Sequence, residues 1–350
     1  MESVNVPSEV LKAFGFPENE CKAERTGSGH INYTFLVREK NDWILQRINT
    51  NVFKEPDIIA ANLRLAANHL KNQYPDYLFL NAVQTIEGKE MAFDQSGNPW
   101  RLFPYIPDTM TLDKVDLTEQ AFEAARGFGE LSKKLSSVEV NLFKPTIPKF
   151  QDLTWRNEQL ETAIRNASEA RKSEASKAMQ LAAEYSFLVN DYRIFTSAGK
   201  LKPRVVHNDT KINNILFNAK TGKAVCVIDL DTLMPGFFIY DLGDMVRTFV
   251  SPVSGRRKDV RKVAFRKPFY DALLEGYLSE MNSSLSAEEH VAIPFAGLMM
   301  TYIMAIRFLA DFLNGNIYYQ IHYPEQNLVR AMNQLTLTGA IAHALNYRPQ

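Results

Sequence analysis

Apolar and polar residues alternate along INYTFLV (31–37) and again along WILQRIN (43–49), with the polar stretch REKND between them. Together with ERT (24–26) and the glycine-bearing tip GSGH (27–30), the period of two predicts a β-hairpin followed by a third strand. At Pro56 the period changes. Ile58, Ile59, Leu63, Leu65, Ala66 and Leu70 recur near every 3.6 residues, which predicts a helix with proline in its first turn. Residues 82–106 return to strand-like runs, AVQTI, EMAFD and WRLFPYI, separated by turns at EGK and QSGNP. After Pro107 helical patterns dominate, over 117–136, over 152–196 and in several segments toward the C-terminus. The stretch NEQLETAIRNASEARKSEASKAMQ within the second of these reads as an exposed helix face. The pattern predicts an α+β chain of two lobes. Residues 1–106 form an antiparallel sheet with one helix, residues 107–350 form a larger, mainly helical lobe, and the hinge near Pro107 lies inside one functional unit.

Against this background the run VVHNDTKINNILFN (205–218) is unusually polar at its centre. HNDTKINN alone reads as a turn, because Asn and Asp bond readily to nearby backbone. The following strand AVCVIDL (224–230) changes that reading. If ILF and AVCVIDL pair across the turn NAKTGK, Asp209, Asn214 and Asp229 converge at one end of the hairpin. Two carboxylates and a carboxamide make a hard, oxygen-rich site suited to magnesium bridging phosphate oxygens. A glycine hairpin, a strand carrying a polar or basic residue, a helix, a base and two oxygen ligands follow one another in the order of a phosphoryl-transfer site. Gly27, Ser28 and Gly29 suit a phosphate-covering turn, since backbone without Cβ atoms approaches phosphates closely.

Composition narrows the class. Of the 350 residues, 45% are hydrophobic and 23% charged, and Lys+Arg balance Asp+Glu at 40 each, which excludes the basic footprint of a nucleic-acid binder. The N-terminus lacks the features of a secretory signal, and no uninterrupted apolar run approaches about 18 residues. No membrane partner is therefore expected, and a cytoplasmic location is. Cys21 and Cys226 match no metal spacing and read as reduced, structural thiols.

These motifs resemble the protein-kinase-like aminoglycoside phosphotransferase superfamily, from about residue 24 to 335. Its H-x-D-x-x-x-x-N motif is matched by His207, Asp209 and Asn214, and its strand-borne metal aspartate by Asp229. Within it, GSGHINYTFLV, WILQRIN, LFPYIPDT, HNDTKINN, VIDLDTLMPG and YDLGDMVR are most similar to the N-acetylhexosamine 1-kinases. The resemblance implies a two-lobed protein-kinase-like fold and transfer of phosphate from ATP, with Mg2+, to the anomeric hydroxyl of N-acetylglucosamine or N-acetylgalactosamine. It casts Asp209 as base, Asn214 and Asp229 as metal ligands, and Gly27, Ser28 and Gly29 as the nucleotide loop. Backbone at Phe103, Tyr105 and Ile106 becomes the adenine-facing hinge. His30, Arg307 and Tyr318, with Asp209, become sugar contacts. His207 is expected to bond backbone and fix the catalytic loop, and Asp241 and Asp244 to support that loop. Asp231 is open between holding a metal-bound water, orienting the loop and capping the turn into TLMPG.

The sequence departs from the kinase pattern at two places. Where a strand lysine is usual it offers Gln46 and Arg47 on opposite faces, of which Arg47 supplies the needed cation. Where a helix glutamate is usual it has Asn62. Two alternatives stay open. One is a kinase of another small molecule, such as an aminoglycoside, choline, homoserine or a different sugar, although the basic run SGRRKDVRK argues against a polycationic acceptor. The other is a non-catalytic nucleotide-binding pseudokinase.

Overall fold

The computed structural model describes residues 5–17, 21–26, 31–253 and 259–349. After α1 (Ser8–Ala13) come β1 (Lys22–Arg25), β2 (Tyr33–Arg38), β3 (Asp42–Arg47), α2 (Pro56–Gln73), β4 (Ala92–Phe93) and β5 (Pro99–Pro104). The five strands form one antiparallel sheet in the order β1-β2-β3-β5-β4. Register decides its two faces. Phe35 lies opposite Leu45 and Leu45 opposite Leu102, and these residues, with Val37 and Trp100, pack with Val10 and Phe16 in a small core closed by α1. One residue out of phase, Thr34, Gln46 and Arg101 line up across β2, β3 and β5 on the other face.

The run AVQTI is not a strand but makes a single bridge, Val83 to Leu102. Its hydrogen bonds go elsewhere: the N–H of Thr85 donates to the Lys89 carbonyl, that of Lys89 to the Thr85 hydroxyl, and that of Ile86 to the carbonyl of Ala13 at the end of α1. A tight turn thus takes the groups a sheet ladder would need.

The chain leaves the sheet at Pro104 and pairs next with the larger lobe through β6 (Thr109–Met110). There follow α3 (Thr118–Lys134), α4 (Leu153–Asn166), α5 (Glu169–Glu174), α6 (Ser176–Glu184), α7 (Phe187–Thr196), β7 (Arg204–Val206), β8 (Ile215–Asn218), β9 (Ala224–Val227), β10 (Met234–Gly236), α8 (Phe238–Phe249), α9 (Lys267–Met281), α10 (Ala287–Val291), α11 (Ile293–Leu313) and α12 (Gln326–Ala344). The helical stretch 152–196 is broken into four. At one break Ser168 leaves helical geometry and its hydroxyl accepts from the N–H of Arg171, capping α5. Its alanines Ala163, Ala175, Ala178 and Ala182 are buried, so this is not simply an exposed face.

α11 is long and apolar enough to cross a membrane by length and composition alone. Here it is the centre of the larger lobe, packed by α4, α8 and α12, with residues such as Leu298, Met300, Ile303 and Leu309 wholly buried. Each such side chain contributes about 1.5–3 kcal/mol. α8 approaches α11 closely because Gly243 has no side chain: a Cβ there would lie 2.3 Å from the Ala296 carbonyl oxygen. α2 belongs to this same core. Its stripe Ile59, Leu63, Ala66 and Leu70 belongs to one continuous buried cluster with Phe128, Leu131 and Leu135 of the larger lobe, and Asn62 donates to the Lys144 and Leu233 carbonyls, so the smaller lobe's helix is fixed to the lobe below it.

Candidate active site

Residues 207–214 connect β7 to β8, and β8 pairs with β9 in an antiparallel hairpin, as the two apolar runs require. The loop is held from below by α8. Asp241, in the first turn of that helix and 1% exposed, accepts the N–H of His207 at 3.0 Å on Oδ2 and the N–H of Asn208 at 2.7 Å on Oδ1. The Thr210 hydroxyl donates to the Asp241 carbonyl at 2.6 Å. Burial raises the Asp241 carboxyl above the usual range, opposed by those two N–H donors. Asn208 takes a left-handed backbone, φ 66°, and its side chain donates to the Val206 and Thr232 carbonyls.

His207 uses both ring nitrogens structurally. Nδ1 accepts the N–H of Asp209 at 3.2 Å, so Nε2 carries the proton and donates to the Ile228 carbonyl at 3.0 Å. Its ring meets Phe128 of α3 edge-on at 5.4 Å. The other end of the loop is tied as well: Asn214 Nδ2 donates to the Asp209 carbonyl at 2.8 Å and to Oδ2 of Asp209 at 3.1 Å, while the N–H of Ile228 donates to the Asn214 carbonyl at 2.9 Å.

Asp229 follows β9 by two residues and is left-handed, φ 59° and ψ 56°. The strand therefore ends at Val227, short of the expected Leu230, and the chain turns so that Asp229 opens into the cleft. Its surface is open to solvent, yet protein surrounds the carboxyl closely. Desolvation first, then the charges of Asp231 and Asp209, push it up to about 6. Asp209 moves the other way. Burial alone would raise it, but the Lys211 ammonium, 2.6 Å from Oδ1, holds the carboxyl below the usual range, helped by Arg247. The pair pulls Lys211 up in turn against its own desolvation.

Among the described residues no group of three or more His, Cys, Asp or Glu side chains is placed to hold a metal. The oxygen donors gathered here are two carboxylates, Asp209 and Asp229, and the Asn214 carboxamide, whose Oδ1 accepts no described donor because Nδ2 makes both of its bonds. That donor set fits a hard divalent cation.

Above the cleft the structure brings Gln46, and not Arg47, to the face that looks at this loop. Arg47 lies over the Tyr33 ring, 4.3 Å from its centroid, on the α1 side of the sheet. Gln46 Oε1 accepts Arg101 Nε at 3.1 Å and Nη2 at 2.8 Å, and Arg101 Nη2 forms a buried ion pair with Asp231 Oδ1 at 2.5 Å. At the hinge, the Tyr105 N–H donates to the Asp42 carbonyl and the Ile106 carbonyl accepts the Thr109 hydroxyl. The Phe103 ring is buried beneath the Arg101 guanidinium, 5.0 Å away. Gly27, Ser28, Gly29 and His30 lie outside the described residues.

On the far side of the loop, Gln151 Nε2 donates to the Asn208 carbonyl at 3.2 Å, beside Asp209, and its buried Oε1 has no hydrogen-bond partner among the described residues. Its neighbour Phe150 lies under Arg307, 5.1 Å from ring centroid to guanidinium carbon, and Tyr319 is 5.8 Å from the same guanidinium. Arg156 donates to the Phe150 carbonyl and stacks on Trp155. Burial, then the charge of Arg307, pushes it down to about 10. Tyr318 is 61% exposed at the rim, its N–H donating to Asp311 at 2.8 Å in the turn after α11.

A family model described as the phosphotransferase enzyme family (APH) matches residues 22–283. The chain belongs to that family. Its fold is shared over almost the whole length with solved structures. One is a microcompartment-associated aminopropanol kinase (TM-score 0.66, 15% identity, covering 97% of this chain and 96% of that one). A second is an aminoglycoside phosphotransferase from Alicyclobacillus acidocaldarius (TM-score 0.64, 12% identity, 99% and 98%). A third is a choline/ethanolamine kinase family protein from Mesorhizobium loti (TM-score 0.56, 14% identity, 96% and 91%). The two-lobed kinase-like α+β architecture is that of the phosphotransferase family.

In this phosphotransferase, sequence reasoning missed Lys211, Arg101, Asn32 and Gln151. Lys211 stands inside the motif, two residues from Asp209, and that spacing was the available signal. Arg101 sits two residues from the hinge Phe103 and so shares its face of β5, a parity that pointed to the cleft.

Proposed function

We propose that this phosphotransferase moves the terminal phosphoryl group of ATP to the anomeric hydroxyl of an N-acetylhexosamine, N-acetylglucosamine or N-acetylgalactosamine. Asp209 accepts or orients the hydroxyl proton. Its carboxylate is ionised at neutral pH, and Lys211 beside it carries the positive charge that the cleft face of β3 lacks. Asn214 and Asp229 hold Mg2+, which when bound neutralises charge on the phosphate oxygens. His207 fixes the loop and takes no proton. The nucleotide lies under 27–29, with its adenine against Phe103 and the backbone at Tyr105 and Ile106.

One observation carries the choice of acceptor. Arg156 and Arg307 stand on the wall that Phe150 and Gln151 join to the catalytic loop, and among the described residues neither forms an ion pair. A cationic acceptor of the kind that an aminopropanol or a choline kinase takes would meet like charge there. A neutral sugar offers hydroxyls and an acetamido carbonyl to a guanidinium fork, and an apolar ring face to an aromatic such as Tyr318. His30 would add a further contact.

The test is phosphorus NMR of the protein with ATP, Mg2+ and a panel of N-acetylglucosamine, N-acetylgalactosamine, glucose, galactose, choline, homoserine and kanamycin. An anomeric sugar phosphate is expected from the acetamido sugars alone. Transfer only to the hydroxyl of another panel member would refute the acceptor assignment, and transfer to none would favour a nucleotide-binding pseudokinase. Asp209→Asn is expected to lower turnover by about 10²–10⁴-fold while nucleotide still raises the melting temperature. Unchanged turnover would remove Asp209 as the base.

A further inference from the structure

The ion pair between Arg101 and Asp231 belongs to no role described above, yet it is among the most enclosed charged contacts in the molecule. The two side chains are 4% and 2% exposed, one from β5 of the smaller lobe and one from the turn after β9 in the larger. At that burial Arg101 has no surface to offer a phosphate. Its contacts form a chain. Thr34 accepts from Gln46 Nε2 at 3.1 Å, Gln46 Oε1 accepts from Arg101 twice, Arg101 pairs with Asp231 Oδ1, and Asp231 Oδ2 accepts Asn32 Nδ2 at 2.7 Å. Asn32 Oδ1 in turn accepts the N–H of Asn49 at 3.0 Å. Both carboxylate oxygens of Asp231 are thus held from the smaller lobe.

Asp231 is two residues beyond Asp229, inside a segment clamped on its other sides as well. The Thr232 hydroxyl donates to the His207 carbonyl at 2.7 Å, and the Thr232 carbonyl accepts Asn208 Nδ2. The Leu233 carbonyl accepts Asn62 Nδ2 of α2 at 3.0 Å, and the N–H of Ile228 is fixed on Asn214. A left-handed aspartate is an uncommon conformation that persists only where surrounding contacts over-determine it. The catalytic loop supplies one set of those contacts and the smaller lobe the other.

We propose that Arg101 is a positioning residue: acting through Asp231, it sets Asp229 against Asp209 and Asn214, and through Asn32 it ties that placement to the strand that follows residues 27–30. Asp231 is accordingly a structural anchor and not the holder of a bound water. The inference rests on the metal role proposed for Asp229.

The experiment uses the full chain, with Mn2+ and AMP-PNP as probes. Free Mn2+ is followed by electron paramagnetic resonance, alongside acceptor KM and melting temperature. Wild type is expected to bind Mn2+ with the nucleotide. Arg101→Met and Asp231→Asn are each expected to weaken that binding by about 10–100-fold while acceptor KM stays within about twofold. The double variant is expected to be no weaker than the worse single, since both act through one contact. Arg101→Lys keeps the charge without the fork, and it is expected to fold and to show the same loss should Arg101→Met fail to fold. Variants that melt lower but bind Mn2+ as wild type does, measured well below their melting temperatures, would overturn the positioning role alone. Absence of Mn2+-nucleotide binding in wild type would overturn the metal assignment and this role with it.

Discussion

Asp241→Asn isolates what a single buried carboxylate does for the catalytic loop. In the wild type its two oxygens accept the N–H groups of His207 and Asn208 at 3.0 and 2.7 Å. Asparagine keeps the shape but has one acceptor and one donor. Whichever way the amide turns, its NH2 faces a backbone N–H, so one charge-assisted bond is lost and both that N–H and the amide NH2 are left without an acceptor. The first effect costs about 1.5–3 kcal/mol and the second about 1–3 kcal/mol. The neutral amide recovers some of the desolvation that raises the Asp241 carboxyl, and its place in the first turn of α8 loses a favourable charge, which partly cancel. A net loss of about 2–4 kcal/mol remains. At about 2.1 cal/mol/K of unfolding entropy per residue, 350 residues give about 0.7 kcal/mol/K, so the melting temperature falls by about 3–6 °C.

The kinetic consequence follows from connectivity. Asp209 is the next residue after the two that Asp241 holds, and a displacement of about 1 Å at a reacting group costs about 10²-fold in rate. Calorimetry and steady-state kinetics on the same preparation give both numbers. Thr210→Val supplies the internal scale, because it removes one neutral hydroxyl bond at 2.6 Å to the same residue and is expected to cost about 0.5–1.5 kcal/mol. An Asp241→Asn protein that melts within about 1 °C of wild type, or less affected than Thr210→Val, would refute the account of how the loop is held.

Two further outcomes follow from other parts of the structure. The Asp229 carboxyl is raised to about 6 by desolvation and by Asp231 and Asp209, so its share of folding stability is greatest at acid pH and declines as pH rises through that value. Metal binding needs the ionised form. The half-saturating Mg2+ concentration is therefore expected to be flat above pH ~6 and to rise about tenfold per unit below it, and a flat profile from pH 5 to 8 would contradict the assignment. Gly243→Ala places a Cβ 2.3 Å from the Ala296 carbonyl and 2.8 Å from Met300 Cβ, both in α11. Despite a helix-propensity gain of about 1 kcal/mol, overpacking by about 1–3 kcal/mol or more is expected to lower the urea midpoint; an unchanged or higher midpoint would show that α8 and α11 separate freely.

Legibility followed the range of the interactions. Asp209 and Asn214 are five residues apart in one loop, and Asp229 is one hairpin away, so spacing and alternation alone suggest that they meet; the structure joins Asn214 to Asp209 by a hydrogen bond and pairs β8 with β9. The face of β3 was legible too, though by a different count. Leu45 and Arg47 share parity with Trp43, and that parity belongs to the face packed by Phe35, Trp100 and α1, which leaves Gln46 toward the cleft. Choosing Arg47 for its charge set chemistry above register. What no local pattern reveals is a partner 130 residues away, such as Arg101 for Asp231, or 171 residues away, such as Leu233 for Asn62.

Those two long-range contacts change how the departures from the kinase pattern are understood. A strand lysine paired to a helix glutamate would join the sheet to its own helix. Here Gln46 is bonded to Arg101, which reaches past the helix to Asp231, while Asn62 on that helix donates to the Lys144 carbonyl at 2.7 Å and to Leu233. The substitutions at both positions thus redirect the smaller lobe's polar groups from one another to the segment that carries Asp229. With the apolar stripe of α2 already part of the larger lobe's core, helix and sheet are each fastened to that segment independently. A helix so fastened cannot swing out without exposing Ile59, Leu63, Ala66 and Leu70 and breaking three hydrogen bonds at Asn62, including the one its Oδ1 accepts from the N–H of Lys144. The cost of that opening, several kcal/mol from the apolar area alone, favours a cleft assembled before the nucleotide arrives.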